Sequence, residues 1–397
     1  MLKKLTIPKG WKNGAVGDLA RGIRGVTFSS VDILSSDEPS AVVLLRSNNI
    51  KDSRINFDEI YLLPSAEVSE NQIARLGDVA VCMSNGSKRL VGKAARLTAA
   101  ELKRRVSVGA FCALFRPTSG ADINFVPYLF DTESYRRELD ITLAGSAINN
   151  LKNSDIEGIK IPLPPLAEQR KIAEILRTWD EAIETAEAEL KAKLERKRVL
   201  MQGLFSKKDC GESFEGRYIT EIAELSKDRP RGNETVCVDL EHVSPSAGQL
   251  IGSLPVNGDE VSKLRFRKDD VLFAKLRPYL KKAWLSDREG ICSSEFWVFR
   301  AKQDLGDPAF LRQFVLSEPF LEACAASSGS KMPRADWAHI EKIKFMLPSL
   351  NEQRVTAGIL QAADTEIDAI NDFIKLLSTQ KRGLMQKLLT GEVRVAA

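Results

Sequence analysis

The chain has 397 residues, 43% of them hydrophobic and 28% charged, and its 58 Lys and Arg against 54 Asp and Glu leave a net charge of +4. An apolar share of that size fills packed cores and excludes a disordered chain, while the length is that of two to three ordinary domains. The small positive excess does not by itself point to nucleic acid, although a DNA reader with neutral or acidic surfaces elsewhere carries the same balance.

The chain opens with MLKKLTIPKGWKNG, two lysines with no apolar core behind them, so no signal peptide is expected. No later run reaches the roughly 18 consecutive apolar residues of a membrane helix, and no membrane partner is expected. Cys82, Cys112, Cys210, Cys237, Cys292 and Cys324 are scattered without a CxxC pair. That usage fits reduced, partly buried thiols in a cytoplasmic protein.

Residues 1–144 read as a globular head mixing turns and helical stretches with short β-rich runs such as AVVLLRSNNI, DVAVCMS and FCALFRP. Two turn-rich stretches carry side chains suited to DNA. One holds Arg46, Asn48 and Asn49; the other gathers Ser84, Asn85, Ser87, Lys88 and Arg89 around Gly86. Asn and Arg make bidentate contacts with adenine and guanine edges, while Ser, Lys and backbone N–H groups suit phosphates. Lys103-Arg104-Arg105 is a candidate phosphate clamp. A solvated surface charge is the alternative for any one of these residues, and clustering favours the groups rather than the individuals.

Residues 145–208 begin with Gly145-Ser146, pass through I-x-x-I-K-x-x-L-P (Ile156 to Pro164) and lead into a helix of about 40 residues entered at Pro164-Pro165. Residues 209–328 form a second β-rich head, with the runs TVCVDLEHV, DDVLFAKL and EFWVFRA. Its basic clusters supply Arg265 and Arg267, then Lys275, Arg277, Tyr279, Lys281 and Lys282. Tyr279 is suited to stack on a base or sugar, or to serve as an amphipathic core residue.

Residues 329–397 repeat the plan of 145–208. At a constant offset of 184, about 24 of the 60 pairs from Gly145/Gly329 to Leu204/Leu388 are identical without a gap, far beyond chance. Ser349 and Glu352 form an S-x-x-E box at the second helix start, and Gly391 is placed to end that helix. The seam Leu176, Trp179, Ile183, Ala186, Leu190, Lys193, Lys197, Leu200, Leu204 steps by three or four. Leu360, Ala363, Ile367, Ile370, Ile374, Leu377, Lys381, Leu384 and Leu388 do the same. Seams of that length point to the two helices pairing within one chain as a spacer of about 60 Å; the alternative is that each lies on its own domain. The heads have diverged far more than the helices, although Phe115-Arg116 still meets Phe299-Arg300 at the same offset.

The chemistry of an enzyme is missing from this pattern. His242 and His339 are the only histidines, neither near a nucleophile elbow, and no zinc spacing, GxxxxGK[ST] or GxGxxG run is present. Neither a catalytic residue nor a metal or cofactor site is expected in this chain. Glu189-x-Lys191 and Glu195-x-Lys197 sit within a charged helix face.

The order head, helix, head, helix, with PLPPLAEQRKIAEIL and MLPSLNEQRVTAGIL opening the helices, resembles the Type I restriction–modification specificity subunits along essentially the whole chain. The opening PKGWKNGAVGDLARGIRGVTF and the stretches MSNGSKRLVGKAA and LFAKLRPYLKKA also look like segments of that family. The resemblance implies an α+β fold. It further implies two mixed α/β target-recognition domains joined by two long antiparallel coiled-coil helices with an internal pseudo-twofold repeat. Its implied task is to read a bipartite double-stranded DNA site through the major groove. Implied partners are two modification (methyltransferase) subunits that bind S-adenosylmethionine and methylate adenine, then restriction (motor-nuclease) subunits; S-adenosylmethionine, ATP and Mg2+ belong to those partners. Glu168, Gln169, Arg170 and their copies Glu352, Gln353, Arg354 then serve either to dock the modification subunit or to cap and hinge the helix starts. A protein–protein scaffold built on the duplicated helix is the other reading the pattern allows.

Overall fold

Runs of apolar residues without alternation become strands buried on both faces. VAVC is the strand Val79–Cys82 and VLFA is Val271–Ala274. In the first, Val79 and Val81 enter one core cluster while Ala80 and Cys82 enter another. In the second, Val271 and Phe273 divide from Leu272 and Ala274 in the same way. Side chains alternate across a strand, so two cores demand an apolar residue at every position.

The computed structural model describes residues 7–145, 149–205, 215–245, 248–256, 262–326 and 332–395. Its contacts divide the chain into two units, Met1–Thr185 with Lys375–Ala397, and Ala186–Ile374. Ser146, Gly329 and Ser330 of the GS dipeptides, and Cys210, lie outside the described residues. The five described cysteines are buried free thiols. No helix among the described residues is long and apolar enough to cross a membrane.

Each unit is a mixed α+β body, and the two share the strand order of their main sheet, although the second sheet has three strands in the first unit and four in the second. The four-stranded antiparallel sheet of the first unit runs Ala20–Arg24, Cys112–Pro117, Val79–Cys82, Ala94–Arg96; that of the second runs Ala223–Ser226, Phe296–Ala301, Val271–Ala274, Ala283–Leu285. A second sheet in each contains one parallel pair, Val42–Leu45 with Val106–Val108 and Val236–Val238 with Gly290–Cys292. A two-stranded ribbon joins Lys12–Ala15 to Lys160–Leu163 in one unit and Glu215–Tyr218 to Lys344–Leu347 in the other. The shared Phe-Arg dipeptide has a structural reason: Arg116 pairs with buried Asp78 at 2.7 Å, and Arg300 with buried Asp270 at 2.7 Å. Each guanidinium locks the turn that leads into the central strand, and each carboxylate is matched rather than buried alone.

The long helices are Leu166–Phe205 and Leu350–Thr390, and none of their seam residues is exposed. In the first unit, Ile172, Ala173 and Leu176 share a core with Met385, Leu388 and Leu389. In the second, Ala357 and Leu360 share one with Phe205. Ser349 N and Oγ both donate to Glu352, at 2.9 and 2.7 Å, as the S-x-x-E spacing predicts. Gly391 follows the last helical residue at φ +71°, the left-handed conformation that a helix-ending glycine supplies.

The duplicated Gln is a hinge pin in both copies. Gln169 accepts from Asp122 N and donates to the Pro164 carbonyl, both at 3.0 Å. Gln353 accepts from Asp307 N at 2.9 Å and donates to the Pro348 carbonyl at 3.1 Å. Both are buried, and each ties the segment leaving the sheet to the start of the helix. The neighbouring glutamates differ: Glu168 accepts from Trp11 Nε1 at 2.9 Å and pairs with Arg394 at 2.6 Å, whereas Glu352 caps its own helix. Arg170 and Arg354 are exposed.

Candidate nucleic-acid interface

In each unit three loops meet at one end of the sheets. The loop after Val42–Leu45 turns through Ser47–Asn49, and the loop after Val236–Val238 turns through Leu240–His242. The residue before each turn is held by the side chain three positions on: Arg46 N donates to Asn49 Oδ1 at 2.8 Å, and Asp239 N to His242 Nδ1 at 3.0 Å. The loop after Val79–Cys82 carries Ser84 to Arg89, and that after Val271–Ala274 carries Lys275 to Lys282. The third is the tip before Cys112–Pro117 or Phe296–Ala301.

The second loop is anchored identically in both units by the start of the repeated segment. Leu151 N donates to the Met83 carbonyl and Ala335 N to the Lys275 carbonyl, both at 2.8 Å. Asn85 N reaches the Asn149 carbonyl at 3.4 Å, and Arg277 N reaches that of Pro333 at 2.7 Å. The repeated segment therefore fixes the backbone of a loop whose side chains differ between units. A bond also links the first two loops in each: Asn85 Nδ2 to Ser47 Oγ at 3.4 Å, and Lys282 Nζ to the Leu240 carbonyl at 2.6 Å.

Most of the candidate residues gather on these loops. Asn48, Ser87, Lys88 and Arg89 are exposed, and Ser84 and Asn85 are half-buried. In the second unit Arg277, Tyr279 and Lys281 are exposed, with Tyr279 60% accessible. Arg277 and Lys281 both adopt left-handed backbone, φ +53° and +52°, on either side of Pro278-Tyr279-Leu280. Left-handed non-glycine residues cost about 1–3 kcal/mol each, and strain of that kind concentrates at functional loops.

The placement corrects the expectation for six residues. Asn49 is 1% exposed and its amide is spent inside the loop, donating to the Asn56 and Asp58 carbonyls at 2.9 and 2.8 Å. It shapes the loop that presents Asn48. Arg46 is half-buried, stacked 3.7 Å from the Tyr61 ring and bonded to the Glu59 carbonyl at 2.6 Å, so it braces that loop. Arg265 is 8% exposed between Glu289 and Glu234, and Arg267 pairs with Asp228 at 2.9 Å. Both precede the strand Val271–Ala274, whereas the loop follows it, so the two basic clusters lie at opposite ends of that strand. Arg104 and Arg105, placed before Val106–Val108, pair with Asp37 and Glu70 and likewise sit at the far end.

Electrostatics reinforce the frame. Burial works against the charge of Lys263, yet its 2.6 Å bond to Asp239 holds the amine above the ordinary lysine range. The Arg334 guanidinium keeps the Glu295 carboxyl below the usual range.

Several residues of this surface were not found from sequence. Leu240-Glu241-His242 takes the place of Ser47-Asn48-Asn49, but insertions shift the heads out of the constant offset. Phe111, expected within the strand FCALFRP, lies just outside it at the third loop, 69% exposed. Asn149 and Arg334 belong to the repeated segment, where attention falls on the helices.

The comparisons agree with this architecture. The family model described as "Type I restriction modification DNA specificity domain" matches residues 8–196 and 255–377. The chain is 25% identical to the Type I restriction enzyme StySPI specificity subunit of Salmonella potsdam, over 98% of this chain and 90% of that protein. It is 33% identical to the EcoKI specificity subunit of Escherichia coli K12, over 46% of this chain and 39% of that one. Among solved structures, the S subunit of a Type I restriction–modification system from M. genitalium shares the fold at a TM-score of 0.58 and 14% identity, covering 98% of both chains. With the family model matched over most of its length, the chain belongs to the DNA specificity subunits of the Type I restriction–modification enzymes.

Proposed function

We propose that the two heads each read one half of a bipartite double-stranded DNA site, and that the chain acts as the non-catalytic reader of a complex. The observation that carries this reading is the three-loop surface: both units build it on the same backbone anchors and fill it with different side chains. Ser84, Asn85, Ser87, Lys88, Arg89 and Asn48 then face the first half-site; Lys275, Arg277, Tyr279, Lys281 and Lys282 face the second. Residues 1–144 and 209–328 are the recognition domains, and 145–208 and 329–397 the repeats with their spacer helices.

The helices run antiparallel as a coiled coil with pseudo-twofold symmetry. In support, Asp180 pairs with Lys381, and their copies Asp364 and Lys197 pair with each other. That symmetry presents equivalent faces to two modification subunits, which supply S-adenosylmethionine and adenine methylation; ATP and Mg2+ serve the restriction subunits. The setting is the cytoplasm. Exposed Arg170 and Arg354 are docking candidates, whereas Gln169 and Gln353 act as hinges.

Co-expression with a modification subunit in a host free of adenine methylation, followed by mapping of modified bases, tests the reading. A split motif methylated on both strands and dependent on this chain is expected. A partner that binds the chain but leaves no motif supports a scaffold instead.

A further inference from the structure

We infer that Phe111 is a specificity-determining residue of the first head, making an apolar contact with the 5-methyl group of a thymine in the first half-site. The inference rests on the reading of the heads as DNA readers.

Phe111 is 69% exposed, and its backbone is fixed on every side. Its carbonyl accepts from Met83 N at 2.8 Å and Ser84 N at 3.1 Å, which ties it to the second loop. Gly109, two residues earlier, donates to the Leu45 carbonyl at 2.8 Å, which ties the same tip to the base of the first loop. Cys112 N closes the turn on the Gly109 carbonyl at 2.8 Å. A rigid backbone thus presents a bare aromatic ring between the two loops that carry Asn48 and Asn85.

The fold does not require an aromatic there. The matching position of the second unit is Glu295, whose carbonyl accepts from Lys275 N at 3.0 Å as that of Phe111 accepts from Met83 N. The Glu295 side chain is held by Arg334 Nε at 3.1 Å. One backbone position therefore carries an exposed apolar ring in one head and an ion pair in the other, at a surface where the side chains of the heads differ. Water around a fixed ring is unfavourable, and contact with an apolar group relieves it. On a major-groove edge of otherwise polar donors and acceptors, the apolar group is the thymine methyl, to which phenylalanine is matched.

The test uses the complex of this chain with its modification subunit and duplexes carrying the mapped motif. Each thymine of the first half-site is replaced in turn by deoxyuridine, which removes the methyl alone. Binding by the unaltered complex is expected to weaken roughly 4- to 10-fold at one position. Phe111→Ala is expected to bind the thymine duplex as weakly as the unaltered complex binds the deoxyuridine one, and to lose the difference between them. Phe111→Leu restores part of it. Equal binding of both duplexes by the unaltered complex at every position, or a first half-site without thymine, overturns the inference. So does a Phe111→Ala chain that no longer retains the modification subunit, which would make the ring a protein contact. If the unaltered complex reads no split motif at all, it is the two-headed reading that fails.

Discussion

Lys381 donates to Asp180 at 2.5 Å, and the residues standing in their places in the other repeat, Lys197 and Asp364, make the same pair. All four side chains are largely buried. Removing one partner strands the other, and Asp180 also accepts from the Tyr128 hydroxyl at 2.6 Å. Asp180→Ala is therefore expected to cost about 1–3 kcal/mol, with a coupling to Lys381→Ala that a double-mutant cycle on unfolding midpoints measures. Independent effects of the two substitutions would remove the pair from the account of the fold.

Asp364 makes stability pH-dependent. Burial pushes its carboxyl up, but Lys197, Arg312 and Gln313 prevail and hold it below its ordinary value of 3.8. A carboxyl lowered on folding contributes stability that is present above its unfolded value and is lost as pH falls through the folded one. Acid titration of the unfolding midpoint is expected to show this loss below about pH 4, and Asp364→Asn should flatten that part of the curve. The Asn variant keeps a hydrogen-bonding side chain, so a curve of unchanged shape would assign the loss to other carboxylates.

Gln169 and Gln353 each satisfy backbone groups at a buried junction. Gln→Ala at either is expected to destabilise its unit by about 1–3 kcal/mol, while Arg170→Ala and Arg354→Ala fall within about 0.5 kcal/mol. Retention of the modification subunit separates the roles further: the arginine variants should weaken it without lowering the unfolding midpoint.

Replacing Arg277 and Lys281 together is expected to weaken DNA binding while assembly stays intact. If both meet phosphates, the slope of log affinity against log salt should fall by about 2. Arg277→Gly alone relieves left-handed strain, so stability should hold or rise as binding falls. Collapse of assembly in the double variant would make these residues structural.

The helices, if they space the heads, set the gap between half-sites. Four residues inserted after Leu190 and four after Asn371 lengthen each by about 6 Å. The methylated motif is then expected to widen by about two base pairs. An unchanged gap would show that the helices do not set it.

The long helices were legible in the sequence because the Ser349–Glu352 cap and the helix-ending Gly391 are local signals. The sheets were legible where both faces are covered, as in VAVC and VLFA. The surface was legible as loops but not as residues. Adjacent Asn48 and Asn49 differ only in which way the chain turns, and that is decided by the distant carbonyls of Asn56 and Asp58. Arg267 and Lys275 are near in sequence, yet a strand separates them. Bonds such as Leu151 to Met83 join segments that no periodicity connects.

The first unit draws its core from both ends of the chain: Ile172 and Leu176 meet Met385 and Leu388, and Arg394 reaches Glu168 beside Trp11. The second unit is one uninterrupted stretch, Ala186–Ile374. The core of the head translated first therefore lacks Met385, Leu388 and Leu389 until residues 375–395 have left the ribosome, whereas the described core of the head translated second, Phe205 to Leu360, lies wholly before them.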